Sequence, residues 1–252
     1  MLSEERRSTI LEILAQHHRI LVAEMSRRLG TSHVTIRKDL EVLERRGLLH
    51  RVHGGAIAAN PSVLDLALTE KERIHTREKE RIARAAAKLI EEGDVIILDS
   101  GSTTMAIARL LKVRKGITII TNAINIASEL AASDNEIILT GGTLREKSFS
   151  LVGPLSEGSI ARLTADKLFL GVDGISFECG YTTPNLLEAD INRLMLRAAT
   201  QVIVTADSSK FGRKSLGVIA GLSAGHKIIT DDHIAAGDLQ RLRDLGIEVI
   251  TV

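Results

Sequence analysis

At 252 residues, 44% hydrophobic and 2% aromatic, the chain suffices for one large domain or two smaller ones around aliphatic cores, and it excludes extended disorder. The single Cys179 excludes an internal disulfide and no Cys and His spacing resembles a metal site; the charged start MLSEERRSTI and the lack of a membrane-length apolar run point to a cytoplasmic protein, neither exported nor embedded. The net charge of +1 is unevenly spread: residues 1–57 hold ten Lys and Arg against seven Asp and Glu, which supports nucleic acid only where a motif agrees.

In chain order, helical spacing comes first. Ile10, Ile13 and Leu14 share one face, and Met25 and Leu29 share another that Gly30 ends. TSHVTIRKDLEVLERRG at 31–47 reads as a third helix, with Ser32 as N-cap, Ile36, Leu40 and Leu43 as the buried stripe and Gly47 as the stop. In LLHRVHGGA the pair Gly54 and Gly55 interrupts strand-like residues, which predicts a small hairpin. Three helices, a Gly30-Thr31-Ser32 turn before the third, and a hairpin make a winged helix-turn-helix.

With the apolar stripe inward, Val34, Lys38, Glu41 and Arg45 point outward, flanked by Thr35 and Arg37. Arg and Lys near a helix N-terminus suit guanine edges or phosphates in a major groove, and Thr suits either; Arg51 and His53 extend this set onto the hairpin. Val34 fits either a thymine methyl or an ordinary exposed valine.

Residues 58–69, AANPSVLDLALT, carry the first proline and separate two patterns. TEKERIHTREKERIARAAAKLIEEG then predicts one long charged helix. Beyond it, helical stretches alternate with the apolar runs VIILD, ITIIT, EIILT, KLFLGVD, QVIVTAD, KIITD and IEVITV. Such runs indicate strands buried on both faces, so the fold class is α/β with a mostly parallel sheet behind the winged helix. The expected domains are 1–57 for DNA binding, 58–76 as linker, and 77–252 for effector binding and oligomerisation.

Several strand ends finish in small or polar residues: DSGSTT at 99–104, TN at 121–122, GGTLR at 141–145, GVDG at 171–174 and ADSSKFG at 206–212. Ligands of open parallel sheets bind beyond the carboxyl ends of the strands, so these loops are expected to converge. They offer hydroxyls, backbone N–H groups, the cations Arg145 and Lys210, and the carboxylates Asp99, Asp173 and Asp207, a set suited to a sugar phosphate. Singly, each has a plainer use: Asp99 as a helix cap, Gly141-Gly142 as a tight turn, Lys210 as a surface cation. Neither GxxxxGK[ST] nor a GxGxxG fingerprint after a strand is present, and no cofactor is expected.

SHVTIRKDLEVLERRGLLHRVHGGA at 32–56 resembles the N-terminal signature of the DeoR-type bacterial transcription regulators, with Lys38 where a second Arg is usual. The strand-end loops resemble that family's effector domain, which is similar in fold to ribose-5-phosphate isomerase. The resemblance implies operator DNA and a phosphorylated sugar as partners, and a homodimer or higher oligomer. It implies Asp99, Gly101, Ser102, Thr103, Thr104, Asn122, Gly141, Gly142, Arg145, Asp173, Glu188 and Lys210 as the effector site. GVDGI, NLLEADINRLM and DSSKFGRKSL look most like regulators of amino-sugar use. The isomerases carry a DGxDE-like acidic run, whereas GVDGI keeps one acid, so the expectation is a sensor and not an enzyme. The alternative is a sugar-phosphate enzyme of isomerase-like fold with an accessory DNA-binding or interaction head.

Overall fold

The computed structural model describes residues 2–17, 19–46, 48–58 and 65–252. Its contacts divide the chain into two compact units, Met1–Ile74 and His75–Val252. Gly47, expected to stop the third helix, and residues 59–64 of the expected linker lie outside the described residues.

The first unit runs α1 (Ser3–His17), β1 (Arg19–Leu21), α2 (Val22–Arg28), α3 (His33–Arg45), β2 (Leu49–Val52), β3 (Gly55–Ala58) and α4 (Leu68–Lys71). α2 stops because Gly30 takes a left-handed φ of 59°, and α3 starts where the Ser32 hydroxyl accepts from the Thr35 N–H at 3.1 Å. Ile36, Leu40 and Leu43 are buried with Ile10, Ile13, Leu14 and Met25 in one aliphatic core. The hairpin forms as expected, β2 pairing with β3 across a turn at His53 and Gly54. Sequence reading missed β1, which pairs antiparallel with β3 and completes a three-stranded wing.

The two wing glycines have separate reasons. Gly54 sits at φ 79°, and a Cβ on Gly55 would collide with the Ile20 carbonyl of the neighbouring strand. Gly55→Ala is therefore expected to split β1 from β3 and cost the first unit ~3 kcal/mol; faster amide exchange at Ile57 and Ile20, with the second unit unchanged, checks it.

The expected long helix is broken. His75 adopts φ 52° without being a glycine, so α4 ends and α5 (Thr76–Ala87) starts anew. Within the first unit α4 is held by an Arg46–Glu70 ion pair at 3.1 Å.

The second unit continues β4 (Val95–Leu98), α6 (Ser102–Leu111), β5 (Lys115–Thr121), α7 (Ile124–Leu130), β6 (Asp134–Leu139), β7 (Thr143–Arg145), β8 (Ser150–Val152), α8 (Pro154–Ile160), β9 (Ala165–Gly171), β10 (Gly174–Ser176), β11 (Gly180–Thr183), α9 (Leu186–Ala198), β12 (Ala199–Thr205), β13 (Gly217–Ala220), β14 (Lys227–Thr230), α10 (Ala236–Asp244) and β15 (Glu248–Thr251). All seven apolar runs fall in one parallel sheet, ordered β15-β14-β12-β9-β4-β5-β6. Aliphatic cores cover its two faces, with Phe169 and Tyr181 the aromatic residues fully buried in the unit. The chain winds outward from β4 through β5 and β6, then returns beside β4 with β9 and winds the other way. The strand order thus reverses between β4 and β9, and in open parallel sheets the crevice that takes a ligand lies beyond the carboxyl ends at such a point. Short antiparallel pieces, β7 with β8 and β10 with β11 and β13, hang from the loops there. Among the described residues no helix is long and apolar enough to cross a membrane.

Candidate functional site

The first unit presents one cationic face. On α3, Val34 is 59% exposed, Arg37 and Lys38 are exposed, and the Ser32 and Thr35 hydroxyls lie 2.9 Å apart at the cap. Arg37 meets the wing's Arg51 and His53 around a cleft of about 310 Å³, floored by Val22, Leu40 and Gly55. The wing is pinned to α3 through its main chain, because the Arg51 N–H donates to Glu44 at 2.8 Å. Helix and wing therefore offer their cations to one concave surface, as a duplex backbone requires.

A residue that sequence reading missed sits beneath this face. Asp39 is 2% exposed, and its two oxygens accept from the Nε–H groups of Arg6 at 2.6 Å and Arg7 at 2.9 Å. The signal was present: Asp39 occupies the i+3 place in the stripe of Ile36, Leu40 and Leu43, where an apolar residue is the ordinary choice.

In the second unit, the predicted residues follow the carboxyl ends of β4, β5, β6, β9 and β12, except Arg145, which ends β7, and Glu188, in the first turn of α9. Asp99 leaves β4 and does not cap α6, since Gly101 takes that place. Its carboxyl accepts from the Gly171 N–H at 3.2 Å, which joins the β4 and β9 loops across the crevice. A Cβ at Gly171 would come within 3.3 Å of Asp99 Oδ2 and 3.7 Å of Gly101 Cα, so small residues permit this closeness. The Thr104 hydroxyl donates to the Asp99 carbonyl at 2.6 Å and lies 2.8 Å from the Gly101 N–H, so it braces the loop. Ser102 and Thr103 fill the first turn of α6.

Two ion pairs flank Asp99. Arg145 Nη1 donates to Glu188 at 3.2 Å and to Ser148 at 2.9 Å, while Ser150 donates to the same Glu188 oxygen at 3.0 Å. In the second pair, Lys210 lies 3.9 Å from Asp173, whose second oxygen accepts from Thr183 at 3.3 Å. Burial, together with the charges of Glu188 and Asp173, pushes the Asp99 carboxyl from the usual 3.8 up to about 7, against the N–H groups of Ser100 and Gly171. Burial also works on Asp207, but Lys210, Ser209, His75 and Lys79 outweigh it and hold that carboxyl below its usual range. The site thus has a carboxyl of raised proton affinity beside two carboxylates, Glu188 and Asp173, each paired with a cation.

Asn122 reaches the same neighbourhood through β8: its amide donates to the Leu151 carbonyl at 3.2 Å, and Ala123 bridges Ser150. Its buried side-chain oxygen accepts from no group among the described residues. Gly141 and Gly142 turn at φ 71° and 125°, and Gly142 backs onto the Val152 carbonyl and Ser156. Ser148, Ser150, Thr183 and buried Lys79 went unpredicted. His75, within the stretch expected to form one long charged helix, is the left-handed residue before α5 and contributes to the field at Asp207.

Two family models match this pair of units, a DeoR-like helix-turn-helix domain over residues 6–62 and a DeoR C-terminal sensor domain over residues 74–232. The chain belongs to the DeoR family. As a member, it is a sequence-specific DNA-binding transcriptional regulator. It is 41% identical over 254 residues to a putative aga operon transcriptional repressor of Escherichia coli O157:H7, covering 99% of this chain and 94% of that one. It is 40% identical to the HTH-type transcriptional regulator GlpR of Haloferax volcanii, over 99% and 98% of the two chains. A solved ribose-5-phosphate isomerase in complex with phospho-erythronic acid aligns over 54% of each chain at TM-score 0.41 and 18% identity. In this DeoR-type regulator the matched domains fall on the two compact units, one holding the cationic face and the other the crevice.

Proposed function

We propose that this regulator is a cytoplasmic repressor of sugar-use genes, released from its operator when a phosphorylated sugar fills the β4/β9 crevice. The observation that carries the reading is Asp99 at the reversal point, bonded to Gly171 and within the field of Glu188 and Asp173, which are paired with Arg145 and Lys210. Hydroxyl-binding carboxyls and phosphate-binding cations on either side of one crevice suit a ligand with both features. Glu188 and Asp173 already hold cation partners, which favours sensing over turnover. The resemblance of GVDGI, NLLEADINRLM and DSSKFGRKSL makes an amino-sugar phosphate the first ligand to try.

On the DNA side, Ser32, Val34, Thr35, Arg37 and Lys38 of the α3 cap and helix would face the groove, with Arg51 and His53 on the backbone beside it. One winged helix covers limited surface, so a homodimer or higher oligomer reading paired half-sites completes the scheme. Release requires that the sugar phosphate bind the operator-free arrangement more tightly than the operator-bound one.

Binding of the full chain to DNA selected by it from random sequence, repeated with individual triose, pentose, hexose and hexosamine phosphates, tests this. The expected result is specific binding weakened at least tenfold by one of them. Specific binding indifferent to every phosphate overturns the ligand class, and tighter binding overturns the repressor direction.

A further inference from the structure

We infer that Asp39 is a positioning residue for base reading: it fixes the angle and register at which α3 meets DNA without touching DNA itself. The inference rests on α3 being the helix that reads bases. The apolar stripe of Ile36, Leu40 and Leu43 is non-directional, and packing of this kind tolerates small rotations and slides. An ion pair does not.

Arg6 and Arg7 are consecutive on α1, so their side chains leave the helix about 100° apart. They nonetheless converge on one carboxylate, each bonding a different oxygen through Nε–H, at 2.6 and 2.9 Å. α3 cannot turn about its axis without lengthening one bond, nor slide along α1 without lengthening the other. Arg7 is fixed in turn by Glu4 of the same helix at 2.6 Å, so that arm of the clamp is held in place. Asp39 follows Arg37 and Lys38 directly, the two cations whose aim it controls. A buried charge pair adds little net stability over apolar packing, and directional geometry is the use such pairs are best suited to. Reading a base edge needs that geometry, whereas gripping phosphates does not.

The test uses the full chain, a duplex selected by the wild-type protein from random sequence, and an unrelated duplex of equal length. Asp39→Asn keeps both arginines and the size of the side chain. It is expected to weaken the selected duplex ~30-fold or more, the loss of one or two base contacts, with unrelated DNA and the salt slope unchanged. Because Asp39→Asn leaves two arginines short of a partner, a second variant, Arg6→Met/Arg7→Met/Asp39→Leu, replaces the clamp with apolar side chains. It is expected to melt no lower than wild type and still lose the preference for the selected duplex. Selected-duplex affinity within threefold of wild type in both variants overturns the inference. So does a parallel loss on both duplexes, which is what a merely structural role gives. Arg37→Ala runs alongside; if it leaves selectivity intact, α3 is not the reader, and that failure is distinct from a failure of the clamp.

Discussion

Replacing Asp99 with Asn is expected to make the second unit more stable at pH 8 and deaf to its effector. The carboxyl is buried, and its folded value of about 7 lies well above the 3.8 of an unperturbed aspartate. A value raised on folding means the folded state holds the proton more tightly than the unfolded chain does. Stability contributed by this group is therefore complete below about pH 4, falls as pH rises toward 7, and stays low above it. The difference corresponds to about 4 kcal/mol. Asn keeps an acceptor for the Gly171 N–H and carries no charge, so the variant escapes the penalty. Melting between pH 5 and pH 8.5 should show the wild type losing stability across that range and Asp99→Asn staying nearly flat, with the gap widest at the alkaline end. Operator binding should persist, since Asp99 belongs to the second unit, and no phosphate should release the DNA. A variant that tracks the wild-type pH profile would show that the charge at Asp99 is not the source of the slope. The site would then trade stability for function in some other group.

The part of this arrangement that sequence reveals follows from local chemistry. Inner strands of the parallel sheet such as Val95–Leu98 announce themselves because they are buried on both faces and must be apolar, whereas the edge strands β6 and β15, expected to be buried likewise, stay half-exposed because each has a neighbour on one side alone. α3 is equally plain, since its cap, stripe and cationic face all lie within fifteen residues of one another. β1 is only Arg19–Leu21, too short to show a period of its own, and it exists because β3 offers an edge. The antiparallel strands β7, β8, β10 and β11 carry Thr143, Ser150, Gly174 and Gly180, and their pairing is decided by the loops they close. The break at His75 has neither Gly nor Pro to mark it. Within the crevice, Asp99 and Arg145 could be singled out as strand-end residues. Ser150 could not, because its partner Glu188 is 38 residues away and only the fold makes them neighbours. Phe149 contributes too: its left-handed φ of 53° lies between Ser148 and Ser150, whose hydroxyls meet at 2.7 Å.

That buried cluster carries the other large effect. Arg145 and Glu188 are both mostly buried, and Arg145→Met would leave the Glu188 carboxylate with the Ser150 hydroxyl but without its cation, beside Asp99. Breaking a buried pair from one side costs ~3 kcal/mol or more, far beyond what the same pair is worth against an apolar replacement of both partners. The expected result at pH 8 is a second unit destabilised by about that amount, seen as an earlier melting transition, and loss of the effector response. Lowering the pH to 5.5 should recover part of the loss, because protonation of Asp99, at about 7, then removes one of the two facing negative charges. Arg145→Lys separates charge from geometry. An ammonium restores the positive charge, so most of the stability should return. Its shorter side chain does not carry a donor to the point from which Nη1 reaches Ser148 and Glu188 together, so the effector response should stay impaired at least tenfold. If Lys at 145 restores both stability and response, the crevice needs only a positive charge there. If it restores neither, the paired bonds from Nη1 themselves hold β7 and β8 against α9, and the site is shaped by that contact before any ligand arrives.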